Sequence, residues 1–154
     1  MSRKYDVRSE EMSCEGAAAG LLGRWRGASL RRPGEVAPLV EGLAAEMARL
    51  GYARRDCLGV GLALEEAVVN GLRHGNRGDP AKQVRVRYRV SSGAVLAEVE
   101  DEGRGFDPAL VPDPTLPENL GRPSGRGLFL MRHYTDQVRY CGRGNLVVLY
   151  KRRA

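Results

Sequence analysis

The 154-residue sequence predicts a two-layer α/β sandwich, in which helices cover one face of a mixed, mainly antiparallel sheet. Two stretches, 33–50 and 57–74, carry apolar residues at helical spacing, whereas residues 84–99 alternate apolar and polar side chains as strands do. The chain has the length of one domain. We expect a flexible N-terminal tail at 1–20 and a single domain at 21–154.

The first part of the chain is predicted to form one strand and two helices. Trp25–Leu30 fits a short strand, and Pro33 stands where the first turn of a helix tolerates its missing N–H group. Gly51 is expected to end the first helix in the C′ position, and Asp56 is expected to cap the second helix. The apolar stripe of the first helix consists of Val36, Leu39, Val40, Leu43, Ala44 and Met47.

The middle of the chain predicts a hairpin with one buried face. Apolar residues of Val84–Val90 alternate with arginines, Ser92-Gly93 supplies the turn, and the alternation continues through Val95–Val99. An antiparallel sheet with this pattern has one face on the core and the other in water. A proline-rich stretch follows at 108–124, and loops of this length are usually functional lids or disordered segments.

The C-terminal part predicts a further helix and a closing hairpin. The helix is expected from about Gly127 to Tyr134. The hairpin pairs Gln137–Cys141 with Leu146–Lys151 across the turn Gly142–Asn145, whose glycines suit a tight reversal of the chain.

The composition argues against several classes of protein. The net charge of +6 comes mainly from scattered arginines without interleaved aromatic residues, so direct nucleic-acid binding is not expected, and an acidic protein partner fits this charge better. No apolar run approaches the roughly 20 residues of a membrane span, and the N-terminus lacks a secretory apolar region. We therefore expect a cytoplasmic protein without a membrane partner. The three cysteines are far apart and predict unpaired thiols rather than a disulfide framework or a zinc site.

One helical segment places polar side chains of three kinds on the same face. Glu66, Asn70 and Arg73 stand at positions i, i+4 and i+7 of the predicted second helix. A carboxylate can take a proton from a hydroxyl group near a phosphate, an amide oxygen can bind Mg²⁺, and a guanidinium can neutralise phosphate charge. The alternative is a solvated polar face, and His74 fits a helix-end histidine without a ligand.

Two segments containing glycines follow this helix. Asp101 ends an apolar strand before Gly103 and Gly105, so its carboxylate could accept a hydrogen bond from an adenine amine while the glycines let the backbone approach the base. A tight turn after a strand is the alternative. Gly125 and Gly127 open a helix, where free N–H groups attract a phosphate. The sequence contains neither a P-loop nor a Rossmann fingerprint.

Taken in order, these segments resemble the GHKL ATPase superfamily, which has the Bergerat, or histidine-kinase-like, ATPase fold. Glu66–Asn70 resembles its N box, Asp101–Gly105 its G1 box and Gly125–Gly127 its G2 box, and residues 108–124 fall where the superfamily carries its ATP lid. Over residues 24–152 the chain most resembles the small anti-sigma factor serine/threonine kinases of bacterial partner-switching systems.

The resemblance implies ATP and Mg²⁺ as cofactors and gives roles to individual residues. Glu66 would be the general base, Asn70 the Mg²⁺ ligand and Asp101 the group that holds adenine. The other positions implied in ATP binding are Arg73, Gly103, Gly105, Gly125, Arg126, Gly127 and Leu128.

The same resemblance implies protein partners. They are a sigma factor or similar transcription regulator, which the protein sequesters, and a small antagonist protein, which it phosphorylates on serine; a homodimer is also implied. The sequence departs from the family at Asn145, where a threonine is common, and in its proline-rich lid. Because either departure could slow catalysis while leaving ATP binding intact, a nucleotide-dependent binding switch without significant kinase activity, or a degenerate pseudo-ATPase, is the alternative.

Overall fold

The computed structural model describes residues 23–105 and 123–153, which form five strands and three α-helices. A short 3₁₀ turn at Pro33–Glu35 precedes the first α-helix, and a π-helical turn at Gly71–Gly75 continues the second. The elements are β1 (Arg26–Leu30), α1 (Val36–Arg49), α2 (Arg54–Asn70), β2 (Val84–Val90), β3 (Ala94–Glu100), α3 (Pro123–Tyr134), β4 (Gln137–Cys141) and β5 (Leu146–Arg152).

The five strands form one sheet in the order β1-β2-β3-β5-β4. Every pairing among these described strands is antiparallel, so the parallel component of the expected mixed sheet is not found. Strand β5 lies between β3 and β4, and Glu100 at the end of β3 is opposite Leu146 at the start of β5. This register brings the residues that follow β3 against the turn between β4 and β5.

The three helices share one core with one face of the sheet, which confirms the predicted α/β sandwich. Leu43 and Met47 of α1, Leu64 and Val68 of α2, and Met131 of α3 have almost no exposed surface. The sheet contributes the alternating side chains Val84, Val86, Tyr88, Val90, Val95, Ala97, Val99, Val147 and Leu149. β2 alternates buried and more exposed residues and pairs antiparallel with β3, so the predicted alternation of Val84–Val90 and the predicted hairpin are confirmed.

The helix boundaries differ in part from the predicted ones. Gly51 has φ +85° after α1, so the predicted glycine C′ position is confirmed. The prediction that Asp56 caps the second helix is wrong: α2 begins at Arg54, and Asp56 lies in its first turn. Helix α3 begins at Pro123 rather than near Gly127, because proline suits the first helical position.

The expected solvent-exposed second face of the sheet is found on β2, where Arg85 and Arg87 are exposed. On β3 and β5 that prediction is wrong, since Leu96 and Val148 are almost fully buried on this face. Long side chains cover part of it: Arg87 pairs with Glu98 and also stacks on the ring of Trp25, 4.3 Å from its centroid.

Several expectations concern termini, thiols and membranes. The tail expected at 1–20 and residues 108–122 of the lid expected at 108–124 lie outside the described residues, whereas residues 123–124 belong to α3. Cys57 is a buried free thiol, whereas Cys141 is disulfide-bonded, so the expectation of unpaired thiols is wrong at that position. A disulfide needs only spatial proximity in the folded chain, which spacing along the sequence does not reveal.

Within the described ranges, no helix is both long and apolar enough to cross a membrane.

Candidate nucleotide-binding site

A cavity of about 290 Å³ lies where α2, the end of β3, α3 and the β4–β5 turn meet. Its lining combines apolar side chains with a carboxylate, two amides and three basic side chains. The cavity is lined by Ala67, Asn70, Gly71, His74, Gly75, Arg77, Val99, Asp101, Arg104, Gly105, Leu128, Met131, Tyr140, Gly144, Asn145 and Val147. The cavity therefore brings together Asn70 from the segment that resembles the N box, Asp101 and Gly105 from the segment that resembles the G1 box, and Leu128, which follows the segment that resembles the G2 box.

A π-helical turn changes which side chains of the first motif face the cavity. The N–H of Asn76 donates to the carbonyl of Gly71 over 2.8 Å, a bond that spans five residues instead of four. The wider turn shifts the register after Asn70. As a result Arg73 is exposed and does not line the cavity, whereas His74 does. The prediction that Arg73 continues the Glu66–Asn70 face assumed an uninterrupted α-helix and is wrong for that reason.

The carboxylate and amide of α2 lie directly against the start of α3. A Cβ atom added to Gly127 would be 2.8 Å from the amide nitrogen of Asn70 and 2.9 Å from a carboxylate oxygen of Glu66. The absence of a side chain at Gly127 lets the ends of both side chains lie this close without moving. Gly125 and Arg126 belong to the first turn of α3, and Leu128 is buried in the cavity wall.

Asp101 supplies the carboxylate of the cavity. One of its oxygens accepts a hydrogen bond of 2.7 Å from the N–H of Gly103. Burial raises the pKa of Asp101 above its ordinary value, although the Gly103 hydrogen bond and the charge of Arg143 oppose that rise. The carboxylate packs so closely on Gly75 that a side chain at Gly75 would overlap it. The sequence pattern thus predicted the carboxylate, but not the glycine that makes room for it.

Both glycines after Asp101 are required by close contacts. A Cβ atom at Gly103 would overlap the carbonyl oxygen of Gly75, and one at Gly105 would overlap the carbonyl oxygen of Arg143. Gly105 also has φ +81°, which side-chain-bearing residues rarely adopt. The strand end, the π-helical turn and the β4–β5 turn therefore meet backbone to backbone around this loop.

Several cavity residues were not predicted. Three are basic: His74, Arg77 and Arg104. Arg104 stands between the two glycines of its motif, which was a usable signal, whereas nothing in the sequence marked Arg77. Arg77 has φ 54°, a left-handed conformation that is uncommon for a residue with a long side chain and that calls for a functional explanation.

The fold and the cavity describe an α/β domain with a cavity between its helices and one end of its sheet. The sequence model of the histidine kinase-like ATPase domain matches residues 30–151, and the chain belongs to this family. The match spans α1 through β5 and includes every described residue that lines the cavity.

Three curated relatives show where in that family the similarity lies. A serine-protein kinase RsbW of Listeria innocua serovar 6a is 27% identical over 116 residues, which cover 71% of this chain and 74% of the relative. The protein of the same name in Bacillus licheniformis is 30% identical over 109 residues, 65% of this chain and 64% of its own length. An anti-sigma F factor of Geobacillus stearothermophilus is 31% identical over 99 residues, 62% and 67% of the respective chains.

Proposed function

We propose that this protein is an ATP-binding serine kinase of the anti-sigma factor type. It sequesters a sigma factor or a similar transcription regulator and phosphorylates a serine on a small antagonist protein. The observation that carries the proposal is the contact of Gly127 with both Glu66 and Asn70, beside a cavity that holds the Asp101 carboxylate. The names of the relatives, serine-protein kinase and anti-sigma F factor, support the choice of substrate and client.

The adenine end of the proposed site is the half-buried carboxylate of Asp101. Its ionised form is a strong hydrogen-bond acceptor for the exocyclic amine of adenine, and burial strengthens that bond. The apolar side chains of Val99, Leu128 and Met131 line the same cavity and can pack on the faces of the base. The cavity therefore offers both an apolar slot and a directional acceptor.

The phosphate end is assigned to α2 and α3. The residues fit a magnesium ion that is bound mainly through phosphate oxygens, because Asn70 offers one amide oxygen as a protein ligand. In residues 23–105 and 123–153, no cluster of three or more His, Cys, Asp or Glu side chains could hold a metal ion by itself. Mg²⁺ would supply charge neutralisation on the phosphate oxygens. Glu66 accepts the proton of the substrate serine as its oxygen bonds to the γ-phosphorus and the bond to ADP breaks.

The basic residues of the cavity have a separate role in this proposal. Arg77 and Arg104 line the cavity and neutralise the negative charge of the nucleotide. Arg73 remains a proposed contact only for phosphate groups that extend out of the cavity, because its side chain is exposed and does not line the cavity. The net charge of +6 favours the binding of acidic protein partners over the binding of proteins with a neutral surface. The homodimer implied by the resemblance is retained as part of the proposal.

The first test is calorimetric titration of ATP with Mg²⁺ into the wild-type protein. Saturable binding with one site supports the proposal, and absence of binding to the folded protein contradicts it. The second step incubates the protein with γ-labelled ATP and each purified small antagonist-domain protein of the source genome. Phosphoserine on one of them, located by mass spectrometry, identifies a kinase; binding of ATP without transfer to any of them identifies the nucleotide-dependent switch instead.

Replacing Arg77 with glycine should separate backbone strain from nucleotide binding. A left-handed conformation costs a residue with a side chain about 1–2 kcal/mol, and the extra entropy of unfolded glycine offsets about 0.4–1 kcal/mol of that. We expect the free energy of unfolding to rise by about 0.5–1 kcal/mol, measured by urea denaturation. We expect ATP affinity to fall several-fold, because one cation is lost from the cavity.

Arg77→Lys is the matched control, because it keeps the charge and the strained backbone. This variant should bind ATP nearly as well as the wild type and should gain no stability. If Arg77→Gly binds ATP as tightly as the wild type, Arg77 does not contact the nucleotide.

A further inference from the structure

The turn between β4 and β5, Gly142–Asn145, packs against the loop Asp101–Gly105 that follows β3. We call these two segments the hairpin tip and the base loop. They are 40 or more residues apart in the sequence at their polar contacts. Their contact is made through specific hydrogen bonds rather than apolar packing, which makes the relative position of the two segments well defined.

Asn145 holds the first residue of the base loop from both directions. The backbone N–H of Asp101 donates to the carbonyl of Asn145 over 2.9 Å, and the side-chain amide of Asn145 donates to the carbonyl of Asp101 over 2.9 Å. Both backbone polar groups of Asp101 are therefore satisfied by one residue. Since Asn145 also lines the cavity, this clamp lies beside the position proposed for the base.

Arg143 holds the middle of the same loop. Its Nε–H donates to the carbonyl of Gly103 over 2.9 Å, and its own carbonyl oxygen lies against Gly105 so closely that no side chain fits there. Gly103 in turn donates its N–H to the Asp101 carboxylate. A chain of contacts thus runs from the guanidinium of Arg143 through Gly103 to the carboxylate in the cavity.

We infer that Arg143 and Asn145 are positioning residues for nucleotide recognition: the hairpin tip fixes the base loop so that the Asp101 carboxylate faces the base at a set position. This inference rests on the proposed function, because it concerns the same nucleotide site. It changes the interpretation of Asn145. Asn145, which stands where the family commonly has a threonine, is the residue that clamps Asp101 in this chain.

Arg143 has an electrostatic effect as well as a geometric one. Its positive charge lowers the pKa of Asp101, against the burial that raises it. Removing that charge should therefore shift the protonation of Asp101 to higher pH. The other charged groups that face Asp101 or the cavity around it are Lys82, Glu100, His74, Arg77 and Arg104.

The test is the affinity for ATP with Mg²⁺, measured by calorimetry across a pH series. In the wild type, affinity should fall as pH is lowered through the pKa of folded Asp101, because a protonated carboxyl loses the charge that strengthens its bond to the adenine amine. In Arg143→Gln we expect about 10-fold weaker binding at neutral pH and a fall that begins at higher pH. In Arg143→Lys, which keeps the charge, we expect weaker binding with the pH midpoint unchanged.

The matched control is Arg152→Gln, because Arg152 is exposed and pairs with Ala94 at the opposite end of β3 from Asp101. It should bind ATP as the wild type does at every pH. Asn145→Ala should weaken binding about 5- to 10-fold without displacing the pH midpoint, since it removes no charge. If Arg143→Gln does not fold, the comparison of Arg143→Lys and Asn145→Ala with the control decides the question.

Failure of this inference is distinguishable from failure of the proposed function. A wild-type protein that does not bind ATP contradicts the proposed function itself. A wild type that binds, together with Arg143 and Asn145 variants that match the control in affinity and pH dependence, overturns only the positioning role. A loss of affinity that is equal at all pH values in Arg143→Gln overturns the electrostatic part, because a structural defect alone does not move a pH midpoint.

Discussion

Replacing Asp101 with asparagine is expected to weaken the binding of Mg²⁺-ATP about 100-fold while stabilising the unliganded protein. One carboxylate oxygen of Asp101 already accepts the N–H of Gly103, so the amide oxygen of asparagine would take that position. Its NH₂ group would then face the donor amine of adenine. A hydrogen bond to a charged group contributes about 1.5–3 kcal/mol, and two opposed donors remove that contribution entirely.

The gain in stability follows from the raised pKa of Asp101. Because burial raises this pKa above its ordinary 3.8, the folded chain binds the proton more tightly than the unfolded chain does. Stability therefore falls as pH rises through the window between the two pKa values, and the ionised carboxylate destabilises the fold at neutral pH. Asparagine carries no charge, so the urea midpoint should rise at neutral pH and should not rise below the ordinary pKa.

Asp136→Asn is the control for both measurements, because the side chain of Asp136 is 45% exposed at the far end of the sheet. It should leave ATP binding unchanged and should not raise the urea midpoint. An Asp101→Asn variant that binds ATP like the wild type would remove Asp101 from the site. A variant that lost stability together with binding would indicate a structural role instead.

Replacing Glu66 with glutamine is expected to slow phosphoryl transfer by about 10²- to 10⁴-fold, the usual contribution of a general base, and to leave ATP affinity within about twofold. Glutamine keeps the size of the side chain, so the packing of this position against Gly127 is preserved. The measurement is single-turnover transfer from γ-labelled ATP to the antagonist protein, with calorimetric titration of ATP in parallel.

Glu65→Gln is the matched control, since Glu65 is the exposed neighbour of Glu66 on α2. It should retain both transfer and ATP binding. A Glu66→Gln variant that transfers phosphate as fast as this control would show that Glu66 is not the base. Loss of ATP binding in the same variant would instead assign Glu66 to nucleotide affinity, because a general base acts on the transfer step alone.

The sequence predicted the individual elements well because their signals are local. The alternation in Val84–Val90 and the apolar spacing of α1 depend only on the pleat of a strand and the turn of a helix, and both patterns are found in the structure. The glycine after α1 was predicted because a left-handed residue is needed there, whatever lies around it. Apart from helix starts, such as the cap expected at Asp56, the errors occurred where the signal is not local, as with the burial of Leu96 and Val148 on the second face of the sheet.

The residues of the candidate site were likewise predicted where the signal is local and missed where it depends on the rest of the fold. Asp101, Asn70 and the glycines were selected from their order and spacing. Of the predicted positions, Asn70, Asp101, Gly105 and Leu128 line the cavity and Gly103 and Gly127 lie against residues that line it, whereas Arg73 does not line it. Arg73 was misplaced because one π-helical turn, stabilised by an i to i+5 hydrogen bond, changes the helical register after Asn70. The propensities of single residues do not predict such a π-helical turn.

By itself, then, the sequence determined the main helices and strands, the α/β class, and Asp101 and Asn70 as polar residues of the site, because each depends on residue type and short-range spacing. Only the tertiary structure decided which of those residues meet. The strand order placed β5 beside β3, and this brought Arg143 and Asn145 onto the loop of Asp101 from 40 or more residues away. Contacts at such separation depend on how the whole chain packs, which no local pattern records.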